Sequence, residues 1–176
     1  MDLKRYYDEI FDVLRKDEVL LRYLYYKPVD RLDNPLDDSH TQIVPDFETA
    51  TDDELNKYWE IVDDVIVSAP KYNDMEKSDS KPKCRLFFFL GHAKTGENHA
   101  FANQHLHVCV YTHFDFENVD RRNALICDRV FQLLANKRVN GILKIHPVER
   151  DFTNAPINYL GYELVFKFVS GNLGKM

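Results

Sequence analysis

The chain has 176 residues, enough to bury a substantial core, and its content of 44% hydrophobic and 13% aromatic residues excludes disorder of the whole chain. Its 29 acidic residues against 23 basic ones give a net charge of -6, which argues against nucleic-acid binding through a broad basic surface. Three cysteines, Cys84, Cys109 and Cys127, form no CxxC pair, so neither a disulfide framework nor a zinc ribbon is indicated, and a reducing cytoplasm suits them.

The N-terminus MDLKRYYDEIFDVL lacks the basic start, apolar run and cleavage site of a signal peptide. No window approaches the roughly 18 apolar residues of a membrane span, so a soluble intracellular protein with no membrane partner is expected. Leu3, Tyr6, Tyr7, Ile10, Phe11, Val13 and Leu14 follow helical spacing, with Asp2 placed to cap the start. The stretch DEVLLRYLYY resumes that spacing after a break near Arg15 to Asp17 and stops before Pro28. The next stretch, KPVDRLDNPLDDSHTQIVPDFETA, holds three prolines and no sustained period, and it reads as an extended loop. Thr51 and Glu54 then have capping-box spacing, ahead of a stripe of Leu55, Tyr58, Trp59, Val62, Val65 and Ile66. The β-branched end VIVSAP equally admits a strand beginning near Val62. KYNDMEKSDSKPK reads as a turn-rich mobile loop.

Strands follow. CRLFFFLG is a continuous apolar run suited to a strand covered on both faces, and HLHVCVYTH alternates. GHAKTGENHAFANQ between them reads as a flexible hairpin loop. Asp120 is placed to cap a helix, DRRNALICDRVFQLLAN, with an apolar face of Leu125, Val130, Phe131, Leu133 and Leu134. GILKIHPVERDF and GYELVFKFVSG supply two more strands, and Tyr162, Leu164, Phe166 and Phe168 share a face of the second. The pattern predicts one α+β domain over residues 1–176, with a helical and loop part at 1–70 and a sheet-plus-helix core at 84–170. That core is expected to be a mainly antiparallel four-stranded sheet, β-β-α-β-β, with its helix packed on one face.

The stretch QHLHVCVYTH carries the densest chemistry. Strand alternation puts His105, His107, Cys109, Tyr111 and His113 on one face and Leu106, Val108, Val110 and Thr112 on the other. Alternate residues lie about 6.5 to 7 Å apart, so His105 and His107 hold one metal only if rotamers converge and further ligands arrive; His92, His99, His113 and His146 are the available contributors. No second ligand motif with fixed spacing accompanies them. The HxH pattern also resembles the strand of the histidine-triad nucleotide hydrolases, but Cys109 stands in the third place and GHAKTGENH lacks the GK[ST] ending of a phosphate loop. A Cys/His hydrolase would pair Cys109 with His107 or His146, yet a cysteine between two valines is more simply a small buried hydrophobe. The adjacent carboxylates Asp37–Asp38, Asp52–Asp53 and Asp63–Asp64 point in different directions and read as solvated charge. No catalytic residue, metal or cofactor is therefore assigned, and the histidines read as an exposed or interface-facing row.

The order of elements, a helical N-terminus, then VCVYTHFDFENVDRRNALICDRVFQLLAN, then a strand, a turn and the closing GYELVFKF strand, resembles the tail terminator and tail-completion proteins of long-tailed bacteriophages. DEVLLRYLYYKPVDRLDNPLD is similar to the start of head-to-tail joining proteins of such phages. The resemblance implies a structural virion protein that forms a ring, usually of six subunits, at the tail end or neck, and that is found in the host cytoplasm during assembly. The partners implied are its own copies, the tail tube protein, the head connector or neck proteins, and DNA passing without sequence recognition. Loops 27–50, 70–83 and 91–103 would dock partners and become ordered on assembly. The competing expectation is a metal-dependent or nucleotide-processing enzyme built on the His105/His107 face.

Overall fold

A computed structural model describes residues 3–68, 75, 81–95, 101–138 and 144–171; at 93–95, 101–102 and 170–171 only the backbone is described. The proposed Asp2 cap, His99 and most of the turn-rich loop at 70–83 lie outside these residues. So do 141–143 at the head of the predicted GILKIHPVERDF strand.

Helix α1, Leu3–Arg15, buries Tyr6, Ile10 and Leu14, which recur every fourth residue. Helix α2, Glu18–Tyr25, starts where the Asp17 side chain accepts a hydrogen bond from the Leu20 amide at 2.8 Å. The same carboxylate receives Arg129 through two nitrogens, at 2.9 and 2.6 Å, so one residue both starts a helix and ties it to the C-terminal half. Helix α3, Asp52–Val65, opens on the capping box read from the sequence, with Thr51 and Glu54 each satisfying the other's backbone NH. It continues through Val65 rather than yielding to a strand at Val62, and strand β1 is only Ile66–Val67.

The sheet has five strands in the order β1-β2-β3-β5-β4, not four, and it is mixed. Strand β1 runs parallel to β2, Cys84–Thr95; β2, β3 (Phe101–His113), β5 (Tyr159–Gly171) and β4 (His146–Phe152) are antiparallel in turn. The predicted hairpin loop at 91–103 is mostly ladder, because β2 and β3 continue past a bulge between Leu90 and Ala93. That bulge sets Gly91 and His92 against His105.

Alternation divides the sheet residues between two clusters. Leu86, Phe88, Leu106, Val108, Val110, Leu164, Phe166 and Phe168 meet α1, α2, α3 and the later helix α5, Arg122–Leu134, in the main core. Phe87, Cys109, Tyr111 and Tyr159 form a smaller cluster on the opposite face with Met75 from the loop preceding β2. This explains why CRLFFF is apolar at consecutive positions: both sides of β2 are covered.

A short helix absent from the sequence reading, α4 at Phe114–Asp120, joins β3 to α5. Asp120 ends α4 instead of capping α5. The junction residue is Arg121, at φ 56°, and it offers no side-chain cap. Glu117 supplies that function by accepting the Asn123 amide at 2.8 Å. The face that α5 buries is centred on Arg122, Asn123, Ile126, Cys127, Val130 and Leu134, with Leu125, Phe131 and Leu133 only half-buried beside it. The loop at 27–50 is a strap pinned to α2. Glu18 accepts the Ile43 and Val44 amides at 3.0 and 2.7 Å, Arg22 donates to the Asp37 carbonyl, and the Tyr26 hydroxyl donates to Thr41 O at 2.6 Å.

Candidate functional site on the outer sheet face

The face turned away from the helices carries His105, His107, Cys109, Tyr111 and His113, as strand alternation requires. It is not one continuous exposed row. Cys109 and Tyr111 are 4% and 1% exposed, inside the smaller cluster, while His105, His107 and His113 are half-buried. His113 turns to the end of the strand, where its Nδ1 accepts the Asp115 amide at 3.1 Å and starts α4.

His107 is held by Glu163, Phe89 and Gly91. Its Nδ1 donates to Glu163 Oε1 at 2.8 Å, and its ring stacks on Phe89 with centroids 5.1 Å apart and planes 2° from parallel. The ring lies against Gly91 so closely that a Cβ there would sit 2.3 Å from Nε2. Glycine at the bulge is what makes room for the imidazole. Glu163, directly opposite Cys109 in the β3–β5 ladder, also accepts the Cys109 thiol at 3.7 Å. Sequence reading found His107 and Cys109 but not Glu163, because the partner is 56 residues further along and only the β3–β5 register brings it there.

This geometry disfavours a thiolate. Burial pushes the Cys109 thiol up to about 12, and the Glu163 carboxylate beside it pushes in the same direction. Cys84 and Cys127 are likewise pushed to about 12, chiefly by burial. Activated nucleophiles require the opposite shift. Among the described residues no group of three or more His, Cys, Asp or Glu side chains is arranged to hold a metal ion. His146 stands on β4 opposite Lys167, two strands from His105, which in turn opposes Lys167 from the other side. His146 and Cys109 are therefore not partners.

Two surface grooves elsewhere lack His and Cys altogether. One, of about 680 Å³, lies between the strap and α3 and is lined by Tyr25, Ile43, Pro45, Glu54, Lys57 and Tyr58 among others. The other, of about 630 Å³, lies between α1 and β1 beside Tyr7, Phe11, Ile66 and Phe88. No described helix is long and apolar enough to cross a membrane.

Fold and site together define an α+β protein whose mixed five-stranded sheet is helix-covered on one side and bears a pinned His–Glu–Cys chain on the other. The chain belongs to the YomW family, whose profile matches residues 17–168, from the Asp17 cap to the last buried phenylalanine of β5. It is 34% identical over 167 residues, 91% of this chain and 92% of the relative, to the "SPbeta prophage-derived uncharacterized protein YomW" of Bacillus subtilis (strain 168).

Proposed function

We propose that the protein is a non-enzymatic assembly component of a phage particle, forming a ring at the tail end or neck that terminates the tail tube and joins it to the head connector. The prophage origin of the YomW relative supports the phage setting. The observation that carries the assembly role is strand β4. It is the outermost strand, paired only with β5 among the described residues, and all seven of its residues are exposed. Val148 and Phe152 stand 51% and 70% open on it, with Ile157 following at 84%. An unpaired edge bearing exposed apolar side chains is a template for another chain.

Antiparallel pairing of β4 with β4 of a second copy would set Glu149 against Asp151 or against itself, like charges opposed. A head-to-tail contact avoids this, and contacts of that kind generate rings when the rotation between subunits closes. Six subunits, the tail tube and connector as neighbours, transient residence in the host cytoplasm and final location in the virion belong to this reading, as does DNA passing through without sequence recognition.

Light scattering after size exclusion, over a range of concentrations and with isolated tail tubes added, tests it. The wild type should give a discrete ring mass, and Phe152→Lys or Val148→Lys should abolish that mass while leaving the circular dichroism of the folded monomer intact. A wild type that stays monomeric under every condition, tail tubes included, overturns the ring.

A further inference from the structure

The sheet ends in two unlike edges. One is β4; the other is β1, Ile66–Val67, which pairs only with β2 among the described residues. Strands β1 and β2 are parallel and each later step is antiparallel, so β4 runs opposite to β1. Two copies laid edge to edge with their strand directions preserved would bring β4 of one against β1 of the next in the antiparallel sense. Each face of the first sheet would then continue into the same face of the second.

On β4, Arg150 opposes Leu164 and Phe152 opposes Tyr162, so both stand on the helix-covered face. Arg150 lies over the Phe131 ring of α5 at 5.6 Å, and Phe152 meets the Tyr162 ring at 5.3 Å. Beside β1, that same face holds the groove of about 630 Å³, lined by Tyr7 and Phe11 of α1 with Ile66 and Phe88 of the main core. The exposed Trp59 of α3 packs on Phe11, with ring centroids 6.4 Å apart. Aromatic residues of this kind are enriched where partners meet. The charges are complementary. Asp63, exposed at the groove, has no cation among the described residues, whereas its neighbour Asp64 is held by Lys83 and Arg85. Arg150 in turn has no carboxylate among the described residues. Glu149 and Asp151, opposite Val165 and Glu163, stand on the other face of β4, clear of Asp63.

We propose that the groove between α1 and β1 receives the β4 edge of a second copy of this chain, with Phe152 filling the aromatic concavity and Arg150 meeting Asp63. The inference rests on the ring reading and deepens it by naming the surface that accepts β4. Two residues of strand span about 6.5 to 7 Å, so one groove accommodates both side chains. Strand β1 offers only two residues of main chain, so side chains carry the contact. The two surfaces are different and sit at opposite edges of one sheet, which is what a head-to-tail contact requires.

The experiment is a charge exchange across the contact, read by light scattering after size exclusion of the full chain, with and without isolated tail tubes. Asp63→Arg and Arg150→Asp should each lose the ring mass, because each sets like charges together, and the chain carrying both should regain it. Both positions are exposed, so circular dichroism of all three variants should match the wild type. Single variants that keep the wild-type ring mass leave the ring standing and overturn this docking surface, as does a double variant no better than the singles. Single variants that keep the ring but lose binding to tail tubes assign the groove to the tail tube protein, which also overturns it. A wild type that stays monomeric even with tail tubes removes the ring reading and this inference with it.

Discussion

Replacing Arg122 with methionine tests the account of how the two halves of the chain are joined. The guanidinium is fully buried. Its Nη1 donates to the Tyr23 and Tyr26 carbonyls at 2.7 Å each, and its Nε and Nη2 both reach Asp120 Oδ2, at 2.8 and 2.6 Å. Those carbonyls end α2, so Arg122 closes a helix C-terminus from a distance of about a hundred residues, where orphan carbonyls need donors. Tyr23 and Phe116 supply aromatic faces at 6.0 and 5.6 Å. Methionine fills much of the volume but leaves Asp120, 12% exposed, without its cation. Its Oδ1 has no hydrogen-bond partner among the described residues. Breaking a buried pair from one side costs about 3–5 kcal/mol, a large share of the roughly 5–15 kcal/mol that holds such domains together. Urea unfolding should therefore show a much lower midpoint for Arg122→Met. Asp120→Asn combined with Arg122→Met should recover part of the loss, because the stranded charge is gone. A single variant that loses less than about 1 kcal/mol, or a double variant whose loss is the sum of the two singles, would refute the reasoning.

Three further outcomes follow from the same geometry. Glu18→Gln removes the ionised acceptor of the Ile43 and Val44 amides; hydrogen exchange of those amides should accelerate while the α3 amides stay protected, and unchanged protection would show that the strap is held by other contacts. Gly91→Ala drives a methyl into the His107 imidazole and should break the His107–Glu163 contact, seen as a changed His107 resonance that Gly91→Ala combined with His107→Ala no longer shows. The three thiols should resist iodoacetamide at pH 8 in the folded protein and all react in urea, because burial pushes each to about 12. Their pH dependence has a definite sign: the folded state keeps these protons longer than the unfolded state, so their contribution is complete below about pH 9 and is lost as pH rises toward 12. Stability that is flat from pH 8 to 11 would contradict it.

How much of this was legible depended on the range of each interaction. The capping box at Thr51 and the two faces of β3 are matters of neighbouring residues, and both stand as the spacing implied. The fifth strand was offered only as an alternative to the helix, beginning near Val62, and left out of the four-stranded sheet, because Ile66–Val67 follows α3 without a turn to mark where helix gives way to strand. Helix α4 and the Arg121 junction were missed for a related reason: no glycine or proline marks the break, and an arginine occupies the left-handed conformation that glycine usually signals. Asp120 has a side chain and a position that suit a helix cap, but Arg122 claims its carboxylate.

The histidine face shows the limit most clearly. Alternation places His105, His107 and Cys109 together, yet their chemistry is decided by what the neighbouring strands put beside them. Cys109 is kept protonated chiefly by burial, and the register sets beside it Glu163, which pushes in the same direction and pins His107; beside His105 it sets Lys167, and beyond that His146. A search for catalysis at His107 and Cys109 therefore runs against the local electrostatics.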